Sequence, residues 1–255
     1  MAPSRERIDL LLVVRGLAET RERAQAVLLA GRVFVAGQRV DKPGTKVPTD
    51  AAIEVRGDPC PYVSRGGLKL AGVMDALALD PRGRVCLDVG ASTGGFTDVL
   101  LQHGAARVWA VDVGHGQLHE RLRRDPRVLS REGVNARLGL RTVVTEPVDL
   151  VVMDLSFIGL AKVLPAVTEV LSRGATVVAM VKPQFELGPR EVHGGVVRDD
   201  SARARAVVSV VDAARALGLF ETAQADSPVA GPAGNREVFV RFGYDPARRG
   251  ERTPT

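Results

Sequence analysis

Residues Val85 to Leu101 read V-C-L-D-V-G-A-S-T-G-G-F-T-D-V-L-L, and no other stretch restricts the fold of this chain as strongly. The apolar run from Val85 to Val89, broken only by Asp88, has the length and composition of a buried strand. Gly90, Gly94 and Gly95 then allow a sharp backbone turn and a close approach to a ligand before a helix opens near Phe96. The spacing is not the G-x-G-x-x-G of dinucleotide binders, because Ala91-Ser92-Thr93 separate Gly90 from the Gly94-Gly95 pair. A second strand, Val108 to Val111, leads to Asp112, 22 residues beyond Gly90. A carboxylate at that tip is placed to accept hydrogen bonds from a ribose diol. The stretch therefore points to an adenosine-containing cofactor. The plain alternative is that Asp88 and Asp112 only open turns after two core strands.

Further strands repeat the arrangement. Val128-Leu129 is a short third strand followed by Glu132 to Asn135, Val148 to Met153 is a fourth ending on Asp154, and Ala175 to Val181 is a fifth ending on Lys182. In a parallel sheet, ligand and chemistry collect at the carboxyl ends of strands, where Asp88, Asp112, Asp154 and Lys182 all stand. Between the N-terminal region and the first of these strands, Ser64-Arg65-Gly66-Gly67 leads into a helix with Leu70, Val73, Met74 and Leu77 on its apolar stripe and Lys69 beside it. The segment from Gln184 to Asp200 is polar and without period, so it reads as a mobile loop over the sheet edge. A helix over Ser201 to Leu217, a turn at Gly231 to Asn235, a last strand over Arg236 to Phe242 and a basic, disordered tail from Asp245 complete the chain.

Residues 1–57 read as a separate small unit. Ile8, Leu11 and Leu12 repeat at helical spacing, and Thr20 caps a second helix that buries Ala24, Val27 and Leu28 and stops at Gly31. Short strands follow at Val33-Phe34-Val35, Arg39-Val40 and Ile53-Glu54-Val55. Arg15, Arg21, Arg23, Arg32, Arg39 and Lys42 lie on the second helix or beside its flanking turns, as a phosphate-tracking face or as an ordinary solvated one. Two prolines in Asp58-Pro59-Cys60-Pro61 make residues 58–63 a stiff linker, which leaves 64–244 as the main domain and 245–255 as the tail.

Helix, helix, then Gly31-Arg32-Val33 and Val35-Ala36-Gly37 resemble the S4-like RNA-binding module. The motifs Ser64 to Leu70, Leu87 to Thr97, Asp112-Val113-Gly114, Asp154 to Ile158 and Val181 to Glu186 together resemble the hemolysin A type of ribosomal RNA methyltransferase, within the FtsJ-like class of ribose 2′-O-methyltransferases. The resemblance covers residues from about 5 to 242. It implies an α/β class I methyltransferase, Rossmann-like, with a mostly parallel seven-stranded sheet and a small α+β S4-like N-terminal domain. It also implies S-adenosylmethionine as cofactor and cytidines of ribosomal RNA or ribosomal subunits as substrate. The family's Lys-Asp-Lys-Glu tetrad falls on Lys69, Asp154, Lys182 and Glu237. Asp88, Gly90, Ser92, Thr93, Gly94, Gly95, Phe96, Asp112, Asn135 and Asp154 would face the cofactor, with the glycine turn at its methionine part and the 132–135 stretch at adenine. The linker departs from the more polar, Trp-containing tetrapeptide often found in the family.

Composition supports the tetrad. Basic charge is written as 30 Arg against five Lys, yet two of those five fall on tetrad positions. Arg keeps its proton at every accessible pH and Lys does not. Methylating a ribose hydroxyl needs the oxygen aligned for in-line attack and relieved of its proton. Lys182 is the candidate base, with Lys69 as a neighbouring cation. Asp154 and Glu237 would orient the amines and also favour their charged form, so base and orienter both stand open for Lys182.

Other classes fit less well. A net charge of +5 favours an anionic partner. Cys60 and Cys86 form no metal or disulfide pattern, which suits a reducing cytoplasm. No apolar run reaches the length of a membrane span. His115 and His119 lack a third ligand at useful spacing, so no metal is expected. Trp109 and Phe157 read as core or cofactor-side packing. An NAD(P)-dependent oxidoreductase would leave Lys69 and Lys182 without a task. A membrane-active toxin, suggested by the hemolysin name alone, would need an amphipathic helix that the chain lacks.

Overall fold

The structure, a computed structural model, describes residues 4–18, 20–56, 60–188, 191–192, 194–231 and 234–250. The chain forms two compact units, Met1–Pro61 and Tyr62–Thr255.

The first unit consists of β1 (Arg5–Arg7), α1 (Ile8–Val14), α2 (Arg21–Leu29), β2 (Val33–Val35), β3 (Gln38–Val40), β4 (Lys46–Pro48) and β5 (Ile53–Val55). Thr20 caps α2 as the sequence predicts, its hydroxyl accepting the Arg23 N–H at 3.2 Å. Ile8, Leu12, Ala24, Leu28 and Val33 are fully buried between the two helices and a three-stranded sheet of order β3-β2-β5. Asp9 is buried with them, at 0% exposure. Its carboxylate accepts from Arg7 Nε at 3.0 Å, Arg21 Nε at 2.9 Å and Gln25 Nε2 at 3.1 Å. The Arg7 hydrogen bond, with Arg21 and Gln25 adding to it, holds this carboxyl well below the usual range.

The second unit is built on β6 (Val85–Val89), β7 (Arg107–Val111), β8 (Val128–Arg131), β9 (Val148–Met153), β10 (Leu171–Val181), β11 (Leu219–Asp226) and β12 (Val238–Tyr244). They form a seven-stranded sheet of order β11-β12-β10-β9-β6-β7-β8, in which only β12 runs antiparallel to its neighbours. Its helices are α3 (Gly66–Ala71), α4 (Gly95–Gln102), α5 (Glu120–Arg123), α6 (Ala136–Val143), α7 (Leu164–Thr168), α8 (Pro183–Glu186) and α9 (Asp200–Arg215). The central strands bury both faces, as their unbroken apolar runs require. Leu87, Val89, Val151 and Val177 belong to one apolar cluster, and Cys86, Leu150, Val152 and Val178 to the other.

The chain runs outward from β6 through β7 to β8, then returns to β9 and β10 on the other side. The strand order thus reverses between β6 and β9, where α/β sheets open a ligand crevice.

Several expectations need correction. The regular part of the helix carrying Lys69 stops at Gly72, where the weakest non-proline helix former stands, and turns continue to Ala78. Leu70, Val73, Met74 and Leu77 are buried all the same. The expected loop from Gln184 begins with α8, opened by Pro183 at its first position, and its later part is hydrogen-bonded to Asn235. Pro189, Arg190 and His193 of that loop lie outside the described residues, as do Gly57, Asp58 and Pro59 of the linker region. The tail is ordered as far as Gly250. Asp245 N–H donates to Gly218 O at 3.0 Å, Arg249 donates to the Tyr244 hydroxyl at 3.0 Å, and Arg248 lies over the Phe220 ring. Those bonds fasten it to the end of α9 and to β11 and β12. Residues 251–255 lie outside the described residues.

Candidate active site

Four elements bring the predicted tetrad to one edge of the sheet. Asp154 follows β9 and Lys182 follows the adjacent parallel strand β10. The antiparallel pairing Val181↔Val238 sets Glu237, just before β12, beside Lys182. Lys69 arrives from α3, and its Nζ donates to Glu237 Oε2 at 2.5 Å. Lys182 Nζ lies 2.6 Å from Asp154 Oδ1 and donates to Ser156 Oγ at 3.0 Å. The contact with Asp154 is an ion pair whose angles fall outside those of an aligned hydrogen bond. The side chains are 10% exposed for Lys182, 12% for Lys69 and 1% for Glu237, so these charges are paired in a largely dry setting. An ammonium has three N–H directions. Ser156 accepts one of those on Lys182, and the Asp154 carboxylate lies against the ammonium as its counter-ion. Ser156 is a partner that sequence reasoning passed over, since a serine after a strand tip carries no signature of its own.

The glycine turn lies at the neighbouring strand tip. Gly90 has a φ of +87°. A side chain there would come within 2.5 Å of the Asp154 carbonyl oxygen, so the close meeting of β6 and β9 at the crevice depends on its absence. Ser92 and Thr93 are exposed on this turn, while Gly94 is buried. Gly95 and Phe96, whose backbone is expected against a cofactor, also have packing tasks. A Cβ on Gly95 would meet Ser64 Oγ at 2.5 Å, and the Phe96 ring, 4% exposed, packs on Phe239 with centroids 6.0 Å apart. The helix that leaves the turn buries its first side chains in the core.

Asp88 shares the face of β6 that carries Cys86, beneath α4. Its Oδ2 accepts from Thr97 N at 2.9 Å and Thr97 Oγ1 at 2.7 Å, pinning the helix to the strand. Its Oδ1 is buried without a hydrogen-bond partner. Burial pushes this carboxyl up to about 7, with the two Thr97 bonds opposing the shift and Asp154 adding to it. Asp112 stands where the sequence puts it, but its Oδ2 accepts from Ser92 N–H at 2.8 Å and its Oδ1 from Gly114 N–H at 2.7 Å. Each oxygen keeps one further lone pair.

The 132–135 stretch differs from expectation. Glu132 accepts the N–H groups of Gly116 at 2.7 Å and Gln117 at 3.1 Å, so it shapes the loop after β7 instead of meeting a base. Those backbone bonds, Gly116 first, hold its carboxyl below the usual range. The Asn135 side chain caps α6 by accepting from Arg137 N–H at 3.1 Å. His119 caps α5 in the same way, and no metal-binding cluster of His, Cys, Asp or Glu occurs among the described residues.

In the first unit, the six candidate RNA contacts divide by the charge of their partners. Arg21 is spent on the Asp9 carboxylate. Arg15 donates to the carbonyls of Thr49 and Ala51, and Arg23 to that of Cys60 at 3.1 Å, so both keep their net charge. Arg39 and Lys42 are exposed, and Arg32 is half-buried.

Comparison with known proteins gives the family. Residues 6–53 match the S4 domain, and residues 62–244 match the FtsJ-like methyltransferases. The chain is 49% identical over 238 residues to the 16S/23S rRNA (cytidine-2′-O)-methyltransferase TlyA of Mycobacterium tuberculosis, spanning 92% of this chain and 89% of that protein. It is 38% identical to a Brachyspira hyodysenteriae protein named hemolysin A, over 92% of this chain and 99% of that one. A solved structure from Streptococcus thermophilus that also carries a hemolysin name superposes with a TM-score of 0.75 at 40% identity, over 95% of this chain and 90% of the other. The fold, the tetrad edge and these matches together place the chain in the FtsJ-like methyltransferase family, with an S4 domain at its N-terminus.

Proposed function

We propose that this chain methylates the 2′-hydroxyl of a cytidine ribose in ribosomal RNA, using S-adenosylmethionine. The observation that carries the reading is Lys182, held by Asp154 and Ser156 at the tip of β10, one strand from the reversal point of the sheet, and flanked by Glu237 with its partner Lys69. The cofactor supplies a methyl group on a cationic sulfur. The residues present suit it: Gly90 keeps the crevice open, the buried and unpartnered Asp88 Oδ1 would offer an acceptor to a cationic amine, and the remaining lone pairs of Asp112 would accept from a ribose diol. Val113 and Leu138, 70% and 78% exposed at the tips of β7 and α6, offer apolar contact to a flat base.

With one N–H on Ser156 and Asp154 as counter-ion, Lys182 keeps an N–H direction for the acceptor ribose. As an ammonium it fixes the attacking oxygen by a charge-assisted hydrogen bond; as a neutral amine its lone pair at the same position receives the hydroxyl proton. Asp154 fixes where that position lies. Lys69, locked to Glu237, sets a second cation beside the ribose and its phosphate. The first unit would supply a salt-sensitive grip on folded RNA through Arg15, Arg23, Arg32, Arg39 and Lys42. Such work places the protein in the cytoplasm with the ribosome, and among the described residues no helix is long and apolar enough to cross a membrane.

Purified ribosomal subunits incubated with enzyme and labelled cofactor test the reading. The expected product is a methylated cytidine whose adjacent phosphodiester resists alkali, because the 2′-oxygen nucleophile is blocked. A labelled but alkali-sensitive product would overturn the ribose assignment.

A further inference from the structure

A hollow of about 340 Å³ opens between residues 196–200 and the segment Gly234–Arg236. One of its walls is fixed by Asn235, a buried amide at 2% exposure. Asn235 Nδ2 donates to Gly195 O at 2.8 Å, and its Oδ1 accepts from Val197 N–H at 2.9 Å. Both ends of that amide serve a single loop, so the loop keeps a defined shape. Arg203, only 17% exposed, fixes another wall by donating to Arg236 O at 3.2 Å and pairing with Asp226.

Of the other charged lining groups, Asp199 is committed to Ser201, accepting its N–H at 2.9 Å and its hydroxyl at 2.7 Å, while Arg198, Arg236 and Asp200 are open to exchange. Arg198 is exposed, with no side-chain hydrogen bond or ion pair among the described residues. Arg236 is 60% exposed and pairs with Asp200, itself 78% exposed, at 3.0 Å and more loosely with Asp226, 59% exposed, at 3.7 Å. A pair as wet as that contributes little, and a ligand can replace either partner.

Position ties the hollow to the reaction. Arg236 directly precedes Glu237, with Cα atoms about 3.8 Å apart. Glu237 turns inward to Lys69, and Arg236 turns out to the hollow. We propose that the hollow is a subsite for the nucleotide adjacent to the methylated one, and that it reads a purine, guanine best, by its hydrogen-bonding edges. This rests on the proposal that an RNA ribose is the methyl acceptor.

The lining chemistry selects the ligand. Guanidinium donors of Arg198 and Arg236 stand beside the carboxylates of Asp199 and Asp200, which leaves the surface nearly neutral. A bare phosphate would meet two anions there. Guanine matches both sets, since O6 and N7 accept from an Arg fork while N1–H and the N2 amine donate to a carboxylate. The volume is at the low end of the roughly 300–1,000 Å³ of small-molecule sites, enough for one base. Sequence-selective proteins read single-stranded RNA through such splayed bases.

The full chain is tested with a ribosomal RNA fragment containing the target cytidine with its 2′-hydroxyl free, and with versions in which each flanking nucleotide in turn is abasic. Methyl transfer and RNA binding by fluorescence anisotropy are both measured, in wild type and in R198A. One abasic flank should raise the wild-type KM and Kd for RNA about tenfold at unchanged cofactor affinity. R198A should show the same rise on intact RNA and little further loss on the abasic one. Independent, multiplying losses would overturn the subsite. So would an equal weakening of R198A on every RNA with a smaller salt dependence, which is the mark of a phosphate contact. A wild-type enzyme that binds these RNAs with the predicted coupling yet transfers no methyl would instead overturn the proposed reaction.

Discussion

Asp9 in the N-terminal unit and Asp88 at the end of β6 are buried to the same degree, at 0% and 1% exposure, but their surroundings differ. Asp9 receives Arg7, Arg21, Gln25 and the Leu10 amide, and leaves no oxygen unused. Asp88 receives only Thr97, through one oxygen, and its other oxygen stays without a donor. Burial alone would raise both carboxyls. Donors reverse the effect at Asp9 and do not at Asp88. The fold completes the hydrogen bonds of Asp9 and leaves one oxygen of Asp88 without a donor, the place proposed above for a cofactor amine.

The largest effect expected from this contrast is at the other incompletely engaged group of the crevice. K182R keeps the charge but cannot release a proton, and its planar fork does not reproduce the three directions of an ammonium. Methyl transfer should fall about 10²–10⁴-fold with cofactor affinity retained. Near-normal single-turnover rates in that variant would remove Lys182 from proton transfer.

Asp88 gives the next effect. Its folded value of about 7 lies above the ordinary value near 3.8, so the folded chain holds this proton more tightly than the unfolded chain does. Its stabilising contribution is therefore complete below about pH 4, declines between about 4 and 7, and is gone above that, a span of at most about 4 kcal/mol. A cationic cofactor amine at Oδ1 should flatten the decline. Denaturant titrations from pH 4.5 to 8 should show a slope in the cofactor-free wild type that is reduced in D88N and by saturating S-adenosylmethionine. Equal slopes in all three would break the contrast.

Asp9 should behave in the opposite sense. Its value is depressed when folded, so its contribution is present above the ordinary carboxylate range and is lost as the pH falls through the folded value. At neutral pH, D9N should cost about 1–3 kcal/mol, kept to that range because Arg7 and Arg21, 39% and 47% exposed, can return to water. Hydrogen exchange of the α1 and α2 amides in the full chain measures this. Unchanged protection would mean that Asp9 is no more structural than Asp88.

Much of this was legible in the chain. The strands β6, β7, β9 and β10 announce themselves as apolar runs, and their tips carry Asp88, Asp112, Asp154 and Lys182 without further information. Less visible was what depends on distant partners. The helix α6 buries only Leu140, so its apolar stripe is too thin to read. The edge strand β11 alternates polar residues with alanines and carries no apolar face. The packing tasks of Gly95 and Phe96 are set by α3 and by Phe239, which are remote in sequence. Glu132 could not be assigned either, because the three amides it gathers belong to a loop that only β7 and β8 together bring near it.

The inverted direction of β12 has a consequence for the order in which the enzyme is made. Every other tetrad residue is synthesised by Lys182, but Glu237 comes from the last strand, inserted between β10 and β11. At about 5–20 residues per second the growing chain needs several seconds after Lys182 to deliver it. Until that strand has left the exit tunnel and joined the sheet, Lys69 lacks the Glu237 carboxylate as counter-ion, so the nascent chain can shape its glycine turn well before this buried ion pair forms.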